Sequence, residues 1–398
     1  MADELSPSAK GEPEQGVARL LFKLRQGGTA WIWRRLKSEW LLPTTGPGRA
    51  AHHFLRAALA TGRRLFPARE EADDTLLYAF YDFKVQPVTF DVLWFLCGAD
   101  FERRRRGLAG VHVVLVPGPS EGLREEDAAY EETIDKEARR WRVHNLILSC
   151  LPLLPSLAGY TMAPTRRHAS ALHGRVGERI YPLRYEPALP ISHHPTDCLE
   201  PARAGERPIA VLRANGQALR YVDQWLAARC AGRRIVVITL RQYNFNRARN
   251  SDLAAWVEFA QGLDSAFYCP VFVPDTETSL DGQVTELSDF AVFTEAAWNI
   301  ALRMALYERA WVNLGVNNGP MGLCWLNEAT RYVTFKMVTK SAAQATEAYN
   351  RWCGFVPHES LPFATAMQKW CWDDDRSEII GREFAAINEL IELAQRCA

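Results

Sequence analysis

Short apolar runs alternate with amphipathic segments along most of the chain. In the first half this pattern predicts three strands and two intervening helices, followed by one more helix and strand: strands at Asp74–Phe83, Val111–Pro119 and 145–155, helices at 88–107 and 125–145, and the final pair within 164–187. Because parallel strands need helical crossovers, we expect a parallel doubly wound sheet.

A second series of the same kind occupies the other half of the chain. It predicts strands at Arg233–Gln242, Tyr268–Glu277, 290–296, Trp311–Val316 and Arg331–Val338, with helices at 215–230, 250–263, 296–310, 319–329, 341–354 and 374–396. A polar, proline-containing segment at 193–208 is the predicted linker. The sequence therefore predicts an α/β protein with two Rossmann-like parallel-sheet domains, at 68–200 and 201–398, preceded by a helical segment at 1–67.

Composition narrows the class of protein. Hydrophobic residues make up 48% and charged residues 24% of the chain, as in ordinary globular proteins. Nine cysteines without a C-x-x-C pair indicate reduced, buried thiols. Equal numbers of basic and acidic residues, 47 each, give no indication of a nucleic-acid partner. With no long apolar run and no signal-peptide character in the first residues, the expected location is the cytoplasm.

The segment 1–67 differs in charge from the rest. Between Val17 and Arg64 it has ten basic residues and one acidic residue, a net charge of +9. Two helices are predicted, at 20–43 and 50–66, and the first interleaves Trp31, Trp33 and Trp40 with basic residues. Residues 17–64 could therefore hold the protein on an anionic membrane surface, as a peripheral protein of the inner membrane. A helix that packs its aromatic side chains on a domain is the alternative.

Ligands of open parallel sheets bind beyond the carboxyl ends of the strands, so the residues after each predicted strand are candidates. The strand ending near Leu240 is followed by three arginines and several amides, including Arg241, Tyr243, Arg247, Arg249 and Asn250. Guanidinium groups match phosphate oxygens, and the next helix would add free N–H groups at its first turn. This loop is a candidate diphosphate site. A solvated polar loop is the alternative.

A second candidate loop opens the helix after Trp311–Val316. It consists of Asn317, Asn318, Gly319, Pro320 and Met321. Glycine permits close approach of a ligand to the backbone, and proline suits a first helical turn. Asp275 and Glu295 follow two other predicted strands, where each would contact a ribose or base or cap the next segment.

The order of these features resembles the donor-binding half of GT-B glycosyltransferases, in particular the fucosyltransferase-like and heptosyltransferase-like groups. The resemblance covers about 205–395 and rests on Arg241 with its downstream arginines, PVFVPD with Asp275, and NLGVNNGPMGL. It implies two domains that face each other, with the donor nucleotide sugar in the second and the acceptor in the first. It also implies that Arg241, Arg247 and Arg249 hold the diphosphate, that residues 317–320 line the site and that Asp275 contacts the nucleoside.

The resulting hypothesis is a metal-independent glycosyltransferase without cofactor, which uses a GDP- or ADP-linked sugar and a glycan, lipid-linked or protein acceptor. Arginines and helix N–H groups would stabilise the leaving diphosphate, and Asp82, at the end of the first strand, would act as the base. Asp373 to Asp375 resemble a D-x-D metal site but stand before a helix, where capping is the simpler explanation. A non-catalytic sugar or nucleotide sensor and a nucleotide-sugar hydrolase or epimerase are the alternatives.

Overall fold

The computed structural model describes residues 29, 33, 36, 37, 40, 43, 45–65, 72–280, 285–339, 342 and 345–397. The predicted helix at 20–43 falls largely outside these residues. The second predicted helix of the N-terminal segment is confirmed as α1 (Gly46–Leu65).

The first α/β unit contains four strands and seven further helices: β1 (Leu76–Asp82), α2 (Val92–Arg105), β2 (Gly110–Val116), α3 (Ala128–Thr133), α4 (Lys136–Arg142), α5 (Leu148–Cys150), β3 (Leu157–Met162), α6 (Arg166–Val176), β4 (Ile180–Tyr181), α7 (Thr196–Arg203) and α8 (Gly216–Cys230). The last helix leads into the second unit. All strand pairs are parallel, and the order is β3-β2-β1-β4.

Two predictions for this unit are wrong. The apolar run 145–155 is helical, with a π-helical turn at Val143–Ile147, α5 and a 3₁₀ turn at Leu151–Leu153, while the third strand is β3. A continuous apolar run fits a buried helix as well as a buried strand, and here it continues the helix that precedes it. The predicted linker contains α7, whose Cys198 and Leu199 are fully buried.

The described residues of the second unit form six strands and six helices: β5 (Arg234–Thr239), α9 (Leu253–Gln261), β6 (Tyr268–Val273), β7 (Ala291–Val292), α10 (Glu295–Trp298), α11 (Ile300–Arg309), β8 (Val312–Val316), α12 (Gly322–Trp325), β9 (Tyr332–Phe335), α13 (Glu347–Trp352), β10 (Gln368–Trp370) and α14 (Ser377–Cys397). The strands are parallel in the order β10-β9-β8-β5-β6-β7. This is the Rossmann strand order, and it includes one strand, β10, that the sequence patterns did not indicate.

The two sheets share one apolar core. A single cluster of buried side chains runs from Leu77 of β1 through Leu93 of α2 to Leu323 of α12 and Trp370 of β10. Loops that follow strands in one unit also contact loops that follow strands in the other, as Phe90 does with Gly319. The predicted fold class, two parallel-sheet α/β domains facing each other, is confirmed. The exact domain limits stay a prediction.

Candidate functional site

The strand order of the second sheet reverses between β5 and β8, which are hydrogen-bonded neighbours. β5 connects onward to β6 on one side, whereas β8 connects onward to β9 on the other, so the two following loops diverge and leave a crevice. The arginine loop (residues 241–250) follows β5, and the asparagine turn (residues 317–321) follows β8. Both predicted ligand loops therefore lie at the position where doubly wound sheets bind ligands.

Arg241 is buried and holds its own loop together. Its guanidinium donates to the carbonyls of Phe245 (2.6 Å) and Asn246 (3.2 Å) and to Asn250 Oδ1. Its backbone N–H donates to Ser251 Oγ (2.9 Å). Burial, followed by the like charge of Arg249, lowers the pKa of Arg241 to about 10. Arg241 is thus a positive charge beneath the loop surface rather than a free arm above it.

The other polar residues of the loop differ in their roles. Asn250 accepts from the N–H of Tyr243 (3.2 Å) and donates to its carbonyl (3.1 Å), which closes the loop. The Tyr243 hydroxyl accepts from Arg142 Nη2 of the first unit (3.0 Å), so this ring joins the two units. Arg247 is exposed and donates to Asn244 Oδ1 (2.8 Å).

Arg249 connects the two candidate loops. Its Nη2 donates to the carbonyl of Asn317 across 3.0 Å, while its Nε is covered and has no hydrogen-bond partner in the described structure. Burial lowers the pKa of Arg249, and the charge of Asp91 acts in the opposite direction. No carboxylate in the described ranges forms an ion pair with Arg249 or Arg241. Arg249 and Arg241 are thus two neighbouring cations without an ion-pair partner in the described ranges, although the charges of Asp91 and Asp275 act on them.

The asparagine turn is a 3₁₀ turn, Gly319–Met321, that leads into α12. Asn318 is buried and caps it, accepting from the N–H of Met321 (3.1 Å), while Asn317 Nδ2 donates to the carbonyl of Met337 (3.2 Å). Pro320 occupies the first turn, as expected, and the side chain of Met321 is fully buried. The turn would therefore meet a ligand mainly through its backbone.

The two predicted carboxylates, Asp275 and Glu295, lie at different distances from the strand-order reversal of the second sheet. Asp275 follows β6 beside β5, accepts from the N–H of Gln242 (3.1 Å) and attracts the charge of Arg241. Glu295 is exposed at the start of α10, after the edge strand β7. β6 separates that edge from the strand-order reversal, so Asp275 is the carboxylate that borders the arginine loop.

The first unit presents Phe90 and Asp91, which the sequence analysis did not single out. A Cβ placed on Gly319 would lie 2.5 Å from Phe90 Cδ2, so the glycine is what permits the two loops to touch. Asp91 precedes α2, is exposed and accepts from Thr89 Oγ1 (2.6 Å). Its charge acts on Arg249 and, across the units, on Tyr349 of α13. In the sequence, only their position after β1 indicated that Phe90 and Asp91 could belong to the site.

Asp82, the predicted base, is fully buried at the end of β1. It accepts from both terminal nitrogens of Arg166 (2.7 and 2.8 Å), from the Tyr185 hydroxyl (2.6 Å) and from the N–H of Lys84 (2.9 Å). These four donors satisfy the carboxylate. Its role as a base stays a prediction, and its contacts are those of a structural ion pair.

Asp375 already has hydrogen-bond partners within the protein, and the two cavities described below lie away from the crevice. Asp375 of the predicted D-x-D motif is buried and accepts from Lys336 Nζ (3.0 Å), from Trp256 Nε1 (2.9 Å) and from the N–H of Asp252 (2.8 Å). Two cavities, of about 20 and 260 Å³, lie elsewhere, one beside Trp370 and one at the amino end of the second sheet. Neither is lined by the arginine loop or the asparagine turn.

The chain is similar in structure to several glycosyltransferases. ADP-heptose lps heptosyltransferase II of E. coli aligns with 80% of this chain and 99% of its own, at 10% identity and a TM-score of 0.46. A family 9 glycosyl transferase from Veillonella parvula aligns with 79% and 90%, at 8% identity and a TM-score of 0.39. NodZ alpha-1,6-fucosyltransferase, crystallised with GDP, aligns with 67% and 96%, at 12% identity and a TM-score of 0.30.

No family model matches the sequence, and no curated protein matches it. The solved structures similar to this chain thus include heptosyl- and fucosyltransferases, the two groups that the sequence resembles.

Proposed function

We propose that the chain is a glycosyltransferase that binds the diphosphate of a nucleotide-sugar donor between the arginine loop and the asparagine turn. The observation that carries the proposal is the hydrogen bond from Arg249 to the carbonyl of Asn317, which joins the two loops at the strand-order reversal. There, Arg249 and Arg241 bring two positive charges together, and the like charge of Arg249 affects Arg241 more than the opposite charge of Asp275 does. Like charges at such close range raise the free energy of the empty site, and a bound polyanion would relieve this.

The two arginines suit different tasks. Arg249, whose side chain is only partly buried, would contact the diphosphate directly, whereas Arg241 would act through its charge and by ordering the loop. Arg247, exposed on the same turn, would make an outer contact. Asn250 would hold the loop closed. The backbone N–H of Gly319 in the asparagine turn would add a donor, as helix starts do for phosphates.

The remaining contacts with the nucleotide-sugar donor follow from the positions of the residues along the second sheet. Asp275, beside the arginine loop, would hold the nucleoside through a ribose or base, with Tyr243 near it and Glu295 farther along the sheet. A GDP- or ADP-linked sugar is the preferred donor. A glycan, lipid-linked intermediate or protein would bind from the first unit as acceptor.

Catalysis would depend on charge that develops during transfer. The bond to the leaving diphosphate breaks as negative charge grows on it, and preorganised guanidinium and N–H groups stabilise that charge without a metal. A base must take the acceptor proton. Asp91 fits this role better than Asp82, because Asp91 is exposed and electrostatically coupled to Arg249, whereas Asp82 is enclosed by four donors.

The N-terminal segment would place the enzyme on an anionic membrane surface inside the cell. In its described part, Trp33 (73% exposed), Phe54 (75%) and Trp40 (53%) present large apolar surfaces to solvent. Basic residues dominate the same segment. Aromatic side chains and positive charge together favour binding to headgroups. No described helix has the length and apolar character needed to cross a bilayer.

A non-catalytic nucleotide-binding protein is the second candidate. Phe90 packs directly on the asparagine turn, and the guanidinium of Arg241 donates its hydrogen bonds to its own loop. A chain that had lost catalysis would keep the cationic crevice as a binding site and need no base.

Calorimetric titration with GDP, ADP, UDP and CDP in EDTA tests the proposal. We expect one diphosphate to bind, and Arg249→Gln to weaken binding by about 10- to 100-fold, since hydrogen bonds to charged groups contribute about 1.5–3 kcal/mol. Arg247→Gln, on the same turn, is the matched control and should change affinity by less than about threefold. If none of the four binds, the site assignment is wrong.

Turnover separates the two candidates. The substrate is a labelled nucleotide sugar built on the nucleotide that binds best. The wild type should transfer its sugar to an acceptor, whereas Asp91→Asn should not. Both chains should keep their affinity for the nucleoside diphosphate. Binding without any transfer or hydrolysis would favour the non-catalytic protein.

A further inference from the structure

Two thiols meet at the amino end of the second sheet, the end opposite the candidate donor site. Cys230 is the last residue of α8, and Cys269 is the second residue of β6. Their Sγ atoms lie 2.7 Å apart, although 39 residues separate them in sequence. A disulfide bond is about 2.05 Å long, so a side-chain movement of less than about 1 Å would join them.

One of the two thiols lines a cavity, although both side chains are buried. A cavity of about 260 Å³ is lined by Cys269 together with Arg229, Arg233, Pro270 and Asp289. Arg233 is fixed beside the pair, because its Nε donates to the carbonyl of Cys230 (2.9 Å). The thiol pair therefore has both a cation beside it and a space that a small molecule could enter.

Cys269 also differs from the other cysteines in its ionisation. The hydrogen bond with Cys230 lowers the pKa of Cys269, and the charge of Arg233 acts in the same direction against burial. By contrast, burial raises the pKa of Cys97 to about 12 and raises that of Cys324 as well. Thiolate character next to a second thiol is the arrangement found in redox-reactive cysteine pairs.

We propose that Cys230 and Cys269 form a redox site at which a small hydroperoxide converts the two thiols into an intrachain disulfide. The Cys269 thiolate attacks the peroxide oxygen, the O–O bond breaks, and Cys269 becomes a sulfenic acid while the leaving oxygen departs as an alcohol or water after protonation. Cys230 then gives up its proton and attacks Cys269 Sγ, which releases water. Two thiols are oxidised, and one peroxide is reduced.

The reaction would tie α8 to β6. Asp275 of the candidate donor site stands just beyond the carboxyl end of β6, but the redox site shares no residue with that site. The proposal is therefore independent of the proposed transferase function.

The test uses the full chain carrying Cys397→Ser, which removes the one exposed thiol. After treatment with hydrogen peroxide, intact mass should fall by two hydrogen atoms, and peptide mapping without reductant should recover a linked Cys230–Cys269 peptide. Dithiothreitol should reverse both changes. Recovery of both thiols unmodified, while free glutathione in the same tube is oxidised, would overturn the proposal.

Single substitutions assign the roles. In the Cys230→Ser variant a dimedone-type reagent should label Cys269 as sulfenic acid, whereas in Cys269→Ser it should not label Cys230. Cys371→Ser, another buried thiol, is the matched control and should still form the disulfide. If either substitution prevents folding, the peptide map of the parent chain still decides the outcome, and a linked peptide that joins any other pair refutes the assignment.

Discussion

The two sheets carry opposite electrostatic arrangements at the same topological position. In the first sheet the order reverses beside β1, where Asp82 is enclosed by Arg166 and Tyr185. In the second sheet the order reverses beside β5, where Arg241 and Arg249 repel each other. One crevice contains a neutralised ion pair, and the other contains two arginines that form no ion pair among the described residues.

This difference shows which polar residues are structural. A buried carboxylate with four donors is stable only while those donors remain, so the residues that surround Asp82 have a structural role. Two neighbouring arginines without an ion-pair partner in the described residues have the reverse property, since removing the charge of Arg249 relieves the repulsion on Arg241. Asp82 ends β1 and Arg249 lies in the loop after β5, so both belong to the carboxyl ends of their sheets, and their partners separate their roles.

Asp82→Asn should give the largest loss of stability. The substitution leaves the Arg166 guanidinium partly buried without its counterion, and breaking such a pair costs about 3–5 kcal/mol. Denaturant unfolding would measure the change. Asp91→Asn, an exposed carboxylate nine residues later, is the control and should shift the unfolding free energy by less than about 0.5 kcal/mol. A small effect of Asp82→Asn would show that this carboxylate is free for another role.

Acid should cause the second-largest loss of stability, and it should act on the first unit. Burial lowers the pKa of His193 from 6.5 to about 4, and its ring packs on Tyr81 and Phe95. Between those pH values the unfolded chain binds a proton that the folded chain excludes, so stability falls as pH drops from 6.5 to 4, by about 3 kcal/mol in total.

Unfolding free energies at a series of pH values would measure this slope. His193→Phe should flatten it, because the variant has no imidazole to protonate, whereas His168→Phe, on an exposed site, should leave it unchanged. A slope that survives in His193→Phe would assign the acid sensitivity to other groups.

Much of the architecture was predictable because apolar runs and turn residues mark strands locally. β1, β5, β6, β8 and β9 fall inside predicted strands, β2 begins one residue before its predicted strand, and the sequence placed Arg249 and Asn317 in loops that follow strands of the same sheet. The helical run 145–155 and the helix α7 were not predictable in this way. In both, tertiary burial decides the backbone conformation, and the apolar pattern alone fits either state.

The roles of site residues were less predictable than their positions. Nothing local distinguishes Arg241, which bonds to its own loop, from Arg249, which reaches across to Asn317. Phe90 and Asp91 enter the site only through packing between the two units. These interactions join residues 158 and 229 positions apart, beyond the reach of periodicity and spacing.

Gly319→Ala should have a moderate effect confined to the place where the units touch. The new methyl group would meet the Phe90 ring, which must shift or tilt, and overpacking of this kind costs about 1–3 kcal/mol. Phe90→Leu in the same chain should recover most of that loss, while Phe90→Leu alone creates a small cavity. Thermal unfolding of the four chains forms a double-mutant cycle. Additive effects would mean that the two loops do not touch in solution.

Arg249→Gln should have the smallest effect on stability and the opposite sign to Asp82→Asn. Glutamine is shorter than arginine and gives up the bond to the carbonyl of Asn317, but it also removes the repulsion on Arg241 and the covered Nε that has no partner. We therefore expect the ligand-free chain to keep its unfolding free energy or to gain up to about 1 kcal/mol. Arg247→Gln, whose side chain is already in solvent, should change nothing measurable. A loss above about 2 kcal/mol in Arg249→Gln would place this arginine with Asp82 among the structural ion-pair residues, because a charge that stabilises the empty fold must already have its counterion.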